Sequence, residues 1–194
     1  KRVQDSIALV QQMEWETAQL SKQISQDMQE THSDSISAEQ LSEQATRLYG
    51  AFAPAMNGQD GVVVLENSRI RISVDRRGGD ICKAELKEYK AYGDSVNALC
   101  LFQSDENELS FTLVTNQNRI LSTKTMYFVP VVQNEDSLCS TLVMRLYTSI
   151  EDSYIDYVYT LGADDYMVGM SVQPHNMHLV LAQNMSSLEM QWNQ

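Results

Sequence analysis

From Gly61 onward, apolar residues recur at every second position, and no other feature of this 194-residue chain limits its folding choices as much. A period of two puts successive side chains on opposite faces of an extended strand, so each such run predicts a strand with one face buried. Ile70, Ile72 and Val74 alternate with Arg69, Arg71, Ser73 and Asp75. Cys82, Ala84 and Leu86 then alternate with Lys83, Glu85 and Lys87. Between these runs, Gly78 and Gly79 can supply the positive φ angles of a tight hairpin turn, and they are the structural turn residues of this reading. The pattern returns in Leu109-Phe111-Leu113, Leu142-Met144-Leu146, Ile155-Tyr157-Tyr159-Leu161, Tyr166-Val168-Met170-Val172 and Leu188-Met190-Trp192. Asn116-Gln-Asn118, Asn134-Glu-Asp136 and Gly162-Ala-Asp164-Asp165 read as turns between runs. Such a series, with no long helix inside it, predicts an all-β fold, an antiparallel sandwich or barrel. The last run stops two residues short of Gln194. An unpaired edge there would be a liability, so the domain is expected to be incomplete and to continue past that residue.

The first 61 residues follow another rule. They are rich in Gln, Ser, Glu and Ala and poor in β-branched residues. Val3, Ile7, Val10 and Met13 fall at helical spacing, as do Leu20, Ile24 and Met28, but Thr17 interrupts the stripe. The leader therefore reads as an amphipathic tether rather than a coiled coil; residues 3–30, if helical, would span ~40 Å. Thr31 to Ser35 break the pattern. Ser37-x-x-Gln40 then reads as a capping box opening a second helix over roughly 38–50. Gly50, Pro54, Asn57-Gly58 and Asp60-Gly61 suggest a linker after it. The expected division is a helical, low-complexity tether over 1–61 and a β-sandwich over 62–194. Because the chain opens on Lys1 rather than Met, it is expected to be a processed product or an excised fragment.

Fourteen basic against 26 acidic residues give a net charge of −12, which argues against nucleic acid and against docking on an anionic lipid surface. No apolar run approaches the ~18–20 residues of a membrane span. Cys82, Cys100 and Cys139 are odd in number and far apart, and read as small buried hydrophobes. His175 and His178 sit in Pro174-His-Asn-Met-His178, read as a loop; two imidazoles without a third ligand do not make a metal site. Asp105-Glu106, Glu135-Asp136, Glu151-Asp152 and Asp164-Asp165 fall at predicted turns and read as solvated surface rather than as an acid–base pair. Among the ten methionines, Met170 and Met190 have the parity of core residues. Tyr154, Tyr157, Tyr159 and Tyr166 could line a groove, but such residues more often pack a sheet face. No Gly-rich phosphate loop, nucleophile elbow or Cys-His arrangement is visible. The sequence thus predicts no catalytic residue, no cofactor and no metal.

One resemblance goes further. Leu65-Glu-Asn-Ser-Arg-Ile-Arg-Ile-Ser-Val74, followed by Gly78-Gly79 and Ala84-Glu-Leu-Lys-Glu-Tyr-Lys90, resembles the opening of the large periplasmic domain of the YidC family of bacterial membrane-protein insertases. Leu99-Cys-Leu-Phe102 looks like the strand that follows, and Tyr157-Val-Tyr-Thr-Leu161 with Asp164-Asp165-Tyr166-Met-Val168 is similar to a later family pattern. The resemblance covers roughly 62–193, and residues 1–61 look like the tether that joins the first membrane helix to this domain. It implies a β-supersandwich of the galactose-mutarotase-like kind and a Gram-negative periplasmic location. It also implies inner-membrane anchoring only through helices outside this chain. The partners it implies are Sec translocon components and nascent membrane proteins, with no enzymatic activity in this part. The fold analogy carries an alternative, a sugar-binding or mutarotase-like protein, which would need His175 or His178 beside a carboxylate in a cleft. A surface-fibre sandwich is a third possibility, though no pilin-like or sortase-like feature supports it.

Overall fold

The computed structural model describes residues 38–91, 93, 96–103, 107–135, 138–183 and 187–193. The two leader stripes, His32 and the Asp105-Glu106 pair lie outside them. The chain divides into two compact units, 1–41 and 42–194; of the first, only the opening turn of a helix is among the described residues. That helix, α1 (Ala38–Tyr49), occupies the segment expected to be helical. It ends where Gly50 takes a φ of +57°, a left-handed geometry that costs glycine little.

The segment after it corrects the linker expectation. Residues Gly50–Met56 form a 3-10 helix in which Phe52, Ala53 and Ala55 are buried, Phe52 completely. Tyr127 N–H donates to the Ala55 carbonyl and Ser149 N–H to that of Ala51, each at 2.7 Å, so main-chain bonds bind the segment to the β body. Gly and Pro mark changes of direction, and these occur inside packed segments as well as in linkers.

Eleven strands follow among the described residues: β1 (Val62–Glu66), β2 (Ile70–Asp75), β3 (Ile81–Lys90), β4 (Ala98–Gln103), β5 (Glu108–Val114), β6 (Ile120–Ser122), β7 (Val129–Glu135), β8 (Cys139–Tyr147), β9 (Tyr154–Gly162), β10 (Val168–His175) and β11 (Glu189–Asn193). All neighbours are antiparallel. They form sheets of order β1-β2-β3-β4, β10-β9-β8-β7 and β11-β5-β6, an all-β sandwich with an N-terminal helix. The inward rows Leu65, Ile72, Val74, Leu142, Met144, Leu146, Tyr157, Tyr159 and Leu161 are almost wholly removed from water and share one core with Phe52, Phe111, Leu113 and Phe128. Burial of each such aliphatic side chain stabilises by about 1.5–3 kcal/mol.

The β2–β3 connection is wider than a two-residue hairpin. Val74 pairs with Ile81, and Asp75 N–H donates to the Asp80 carbonyl, closing a loop that carries Gly78 at φ +87° and Gly79 at φ +73°. The loop is a ledge for residues 126–128: Gly78 N–H donates to the Met126 carbonyl, and Phe128 N–H donates to that of Arg76. A Cβ at Gly79 would lie 2.9 Å from the Phe128 ring, so the left-handed angle and the close approach both call for glycine.

The outer edge of β1 is capped by side chains. Gln133 Nε2 donates to the Val64 carbonyl at 2.9 Å, and Ser140 Oγ to that of Glu66 at 3.3 Å. Elsewhere the sequence expectations need correction. Asn134 and Glu135 belong to β7, not to a turn. Pro174 and His175 end β10, and Met177 of the expected loop is buried in a 3-10 turn. On β11 the alternation buries neither face: Met190 is 53% exposed and Trp192 62%.

Candidate functional site

Three adjacent strands gather the charged and aromatic groups best placed for chemistry. Arg145 of β8 lies directly opposite Asp156 of β9, and His175 of β10 is paired with Tyr154 of β9. Arg145 grips the carboxylate at two points, Nε to Oδ1 at 2.7 Å and Nη2 to Oδ2 at 2.8 Å. This hydrogen-bonded pair drives the guanidinium pKa upward. The Arg145 guanidinium also lies 3.6 Å from the centroid of the Tyr154 ring, a cation–π contact. His175 stacks on the same tyrosine at 4.5 Å, and its Nε2 is 3.8 Å from Asp156 Oδ2. Asp156 has outward parity yet is only 5% exposed.

An imidazole beside a carboxylate is the pair that mutarotase-type acid–base transfer needs. Here both oxygens of Asp156 are engaged by Arg145, and the group lies on a sheet face. Depressions of the surface lie elsewhere, two of them near the β5–β6 turn. One of about 80 Å³ is lined by residues including Gly50, Asn116, Ile150 and Val180; the other, about 440 Å³ and open to solvent, by Asn116, Asn118, His178, Ala182 and Gln183. Arg145, Asp156 and His175 line neither. His178 is thus separated from the carboxylate that His175 meets, and the sugar-enzyme alternative finds no support.

A second cluster is a staple. Arg69, in the β1–β2 connection, binds Asp164 through Nε (2.6 Å) and Nη2 (3.0 Å) and reaches Glu88 at 3.2 Å. Asn67 Nδ2 donates to the carbonyls of Gly162 and Asp165. The Arg69 hydrogen bond holds the Asp164 carboxyl below its usual range. Of the acidic pairs, then, the one at 164–165 helps to join the first sheet to the β9–β10 turn, whereas Glu151 and Asp152 are exposed.

A third group lies in and beside the core, with Tyr157 and Tyr159 buried and Asp80 half-buried. Tyr159 Oη donates to the Gly79 carbonyl, Tyr157 Oη has no hydrogen-bond partner, and Asp80 accepts the Leu109 N–H at 3.2 Å. Burial pushes the Asp80 carboxyl and the Tyr157 hydroxyl upward. Tyr157 and Tyr159 are core residues, with no groove to line. None of the three cysteines is joined in a disulfide, and only Cys82 is buried; Cys100 is exposed and Cys139 half-buried. Among the described residues, no three His, Cys, Asp or Glu side chains converge as a metal site, and no helix is long and apolar enough to cross a membrane. The residues that sequence reasoning passed over are Arg145 and Asp156. Their signal was available: each is a lone charge in a strand of apolar and hydroxyl residues.

These features define an acidic, antiparallel all-β sandwich domain whose charged clusters tie strand to strand. The chain belongs to the YidC periplasmic domain family, whose family model matches residues 62–194. It is 36% identical to the membrane protein insertase YidC of Parabacteroides distasonis over 197 aligned residues, covering all of this chain and 30% of that protein. It is 32% identical to that of Azobacteroides pseudotrichonymphae (78% of this chain, 24% of that protein) and 33% identical to that of Porphyromonas gingivalis (75% and 22%). The chain spans under a third of the length of these curated relatives. No solved structure matches it.

Proposed function

We propose that this chain is the periplasmic, non-catalytic portion of a membrane-protein insertase, held at the inner membrane by helices outside the chain. In this role it presents a rigid sandwich to Sec translocon components and to nascent membrane proteins, and so assists their insertion and folding. The observation that carries the reading is the coincidence of the family match, 62–194, with the whole β region. The galactose-mutarotase-like supersandwich belongs to the same proposal, as does the division into tether and body. The proposed tether is residues 1–61 and the proposed body residues 62–194, with Phe52, just before that boundary, buried in the core. Gly78 and Gly79 act in this reading as structural turn residues and not as a contact site.

The test uses the full-length gene. It is expected to encode a hydrophobic helix upstream of this segment and several downstream. Removing 62–194 in frame should lower the insertion of inner-membrane test proteins without abolishing it, and photocrosslinkers on the outward faces should capture translocon subunits or clients. A reading frame without those helices, or a hydrolytic or isomerase activity lost with His175→Ala, overturns the proposal.

A further inference from the structure

The strand edges of the body are guarded unequally. On β1, Gln133 and Ser140 engage two carbonyls. The registers of β4 and β7 with their neighbours shift, and Pro130 sits at the shift in β7. Strand β6 has three residues, and β11 opens on the charged Glu189. Side-chain covers, register breaks, proline, short length and charge all keep an edge from pairing with a foreign strand. Strand β10 is the least guarded. It is the last strand of its sheet and pairs with β9 residue for residue, from Val168 opposite Leu161 to His175 opposite Tyr154, without a shift. It holds no Asp, Glu, Lys or Arg, and Pro174 removes an N–H only near its end. Among the described residues no side chain covers its main chain and no further strand pairs with it, so every second residue of 168–173 aims its N–H and C=O outward without a ladder partner. The core is also thinner here. Ile155, Tyr157, Tyr159 and Leu161 of β9 are buried, whereas the matching row Val168, Met170 and Val172 packs on the core and is only half-buried.

We infer that the outer edge of β10 takes up an extended segment of another polypeptide, apolar at alternate positions, as an added strand. The inference deepens the proposed role and rests on nascent membrane proteins being partners of the domain. The geometry of the edge selects the occupant: only another extended peptide presents N–H and C=O groups at the spacing of a strand. A helix, whose main-chain groups bond within itself, offers none. The thin core selects the side chains. Apolar residues at alternate positions of the added strand continue the inward row and cover Val168, Met170 and Val172, while the exposed row Gly169, Ser171 and Gln173 meets the polar alternates. Charge selects the flanks. The chain carries −12, so it repels acidic segments and a second copy of itself, and it attracts segments flanked by basic residues. No ion on β10 has to be desolvated as the strand is laid down.

The probe is a fluorescein-labelled peptide of valine alternating with serine, with a lysine at each end. Titrated with the 194-residue chain, its anisotropy should rise, and hydrogen exchange should show new protection at alternate amides of 168–173. N-methylating the peptide amides that meet β10 should weaken binding about tenfold or more, whereas methylating those on the far edge should not. Both peptides keep their side chains, so the comparison isolates the main-chain ladder and needs no variant of the protein. Val172→Lys, an inward charge on an edge strand, should weaken binding by a similar factor. Two methylated peptides that bind equally overturn the inference. So does protection of β10 that grows with the concentration of the chain alone, which assigns the edge to a second copy. Protection already complete in the full-length protein before peptide is added overturns it too, since a strand of the same polypeptide then fills the edge. Failure of the insertase reading looks different: insertion unchanged by removal of 62–194, with the peptide still bound at β10, leaves the edge assigned and changes only its client.

Discussion

The Tyr159 hydroxyl donates to the main-chain carbonyl of Gly79 at 2.5 Å, joining the centre of β9 to a loop eighty residues earlier. Both partners are buried, and a Cβ on the same glycine would lie 2.9 Å from the Phe128 ring. Tyr159→Phe leaves that carbonyl unsatisfied and is expected to cost about 1–3 kcal/mol. Gly79→Ala adds a left-handed penalty of roughly 1–2 kcal/mol to the clash with Phe128. Urea unfolding monitored by fluorescence should show both losses, with Gly79→Ala at least as large as Tyr159→Phe.

Arg145 and Asp156 should behave as a unit. Arg145→Met leaves a carboxylate in a nearly dry site and is expected to lose about 3–5 kcal/mol, whereas replacing both residues by apolar ones of similar volume should be close to neutral. A double-mutant cycle in denaturant measures the difference. Additive single-site losses would show that the pair is not coupled.

Asp80 gives stability a distinct pH dependence. Burial raises the pKa of this carboxyl in the folded state above its ordinary value of 3.8. A carboxyl shifted upward binds its proton more tightly when folded, so its stabilising contribution is complete below about 3.8 and is lost as pH rises through the raised folded value. Asp80→Asn keeps an acceptor for the Leu109 N–H and removes the half-buried charge. Its unfolding free energy should exceed the parent's at pH 7, and the two should converge in acid; a variant no more stable than the parent at pH 7 would contradict this.

Phe52 tests where the folded body begins. Phe52→Ala empties a fully buried site and is expected to cost about 3–5 kcal/mol. Thermal unfolding followed by circular dichroism reads the loss, and a residue on a solvated linker would show almost none.

Much of the fold was legible because alternation reports directly on a strand with one wet face. Ile70-Ile72-Val74 and Ile155-Tyr157-Tyr159-Leu161 form strands with those residues buried. The ends of the reading failed for a physical reason: alternation names the apolar face of a strand but not what covers it. Leu188-Met190-Trp192 has the period, yet in β11 Met190 and Trp192 stand in solvent. Strand β7 escaped notice because its valines run consecutively across the register shift at Pro130–Val132, which destroys the period of two. Arg145, Asp156 and His175 were individually visible, but their meeting depends on the registers of two strand pairs, which one sequence does not encode locally.

The caps on β1 bear on how such a domain survives its surroundings. Wherever hydrophobic chains emerge still unfolded, a bare strand margin invites them to zip on and seed fibrils. With Gln133 and Ser140 engaging the carbonyls of Val64 and Glu66, two acceptors of that margin are already taken, and a strand adding there would first have to displace both side chains.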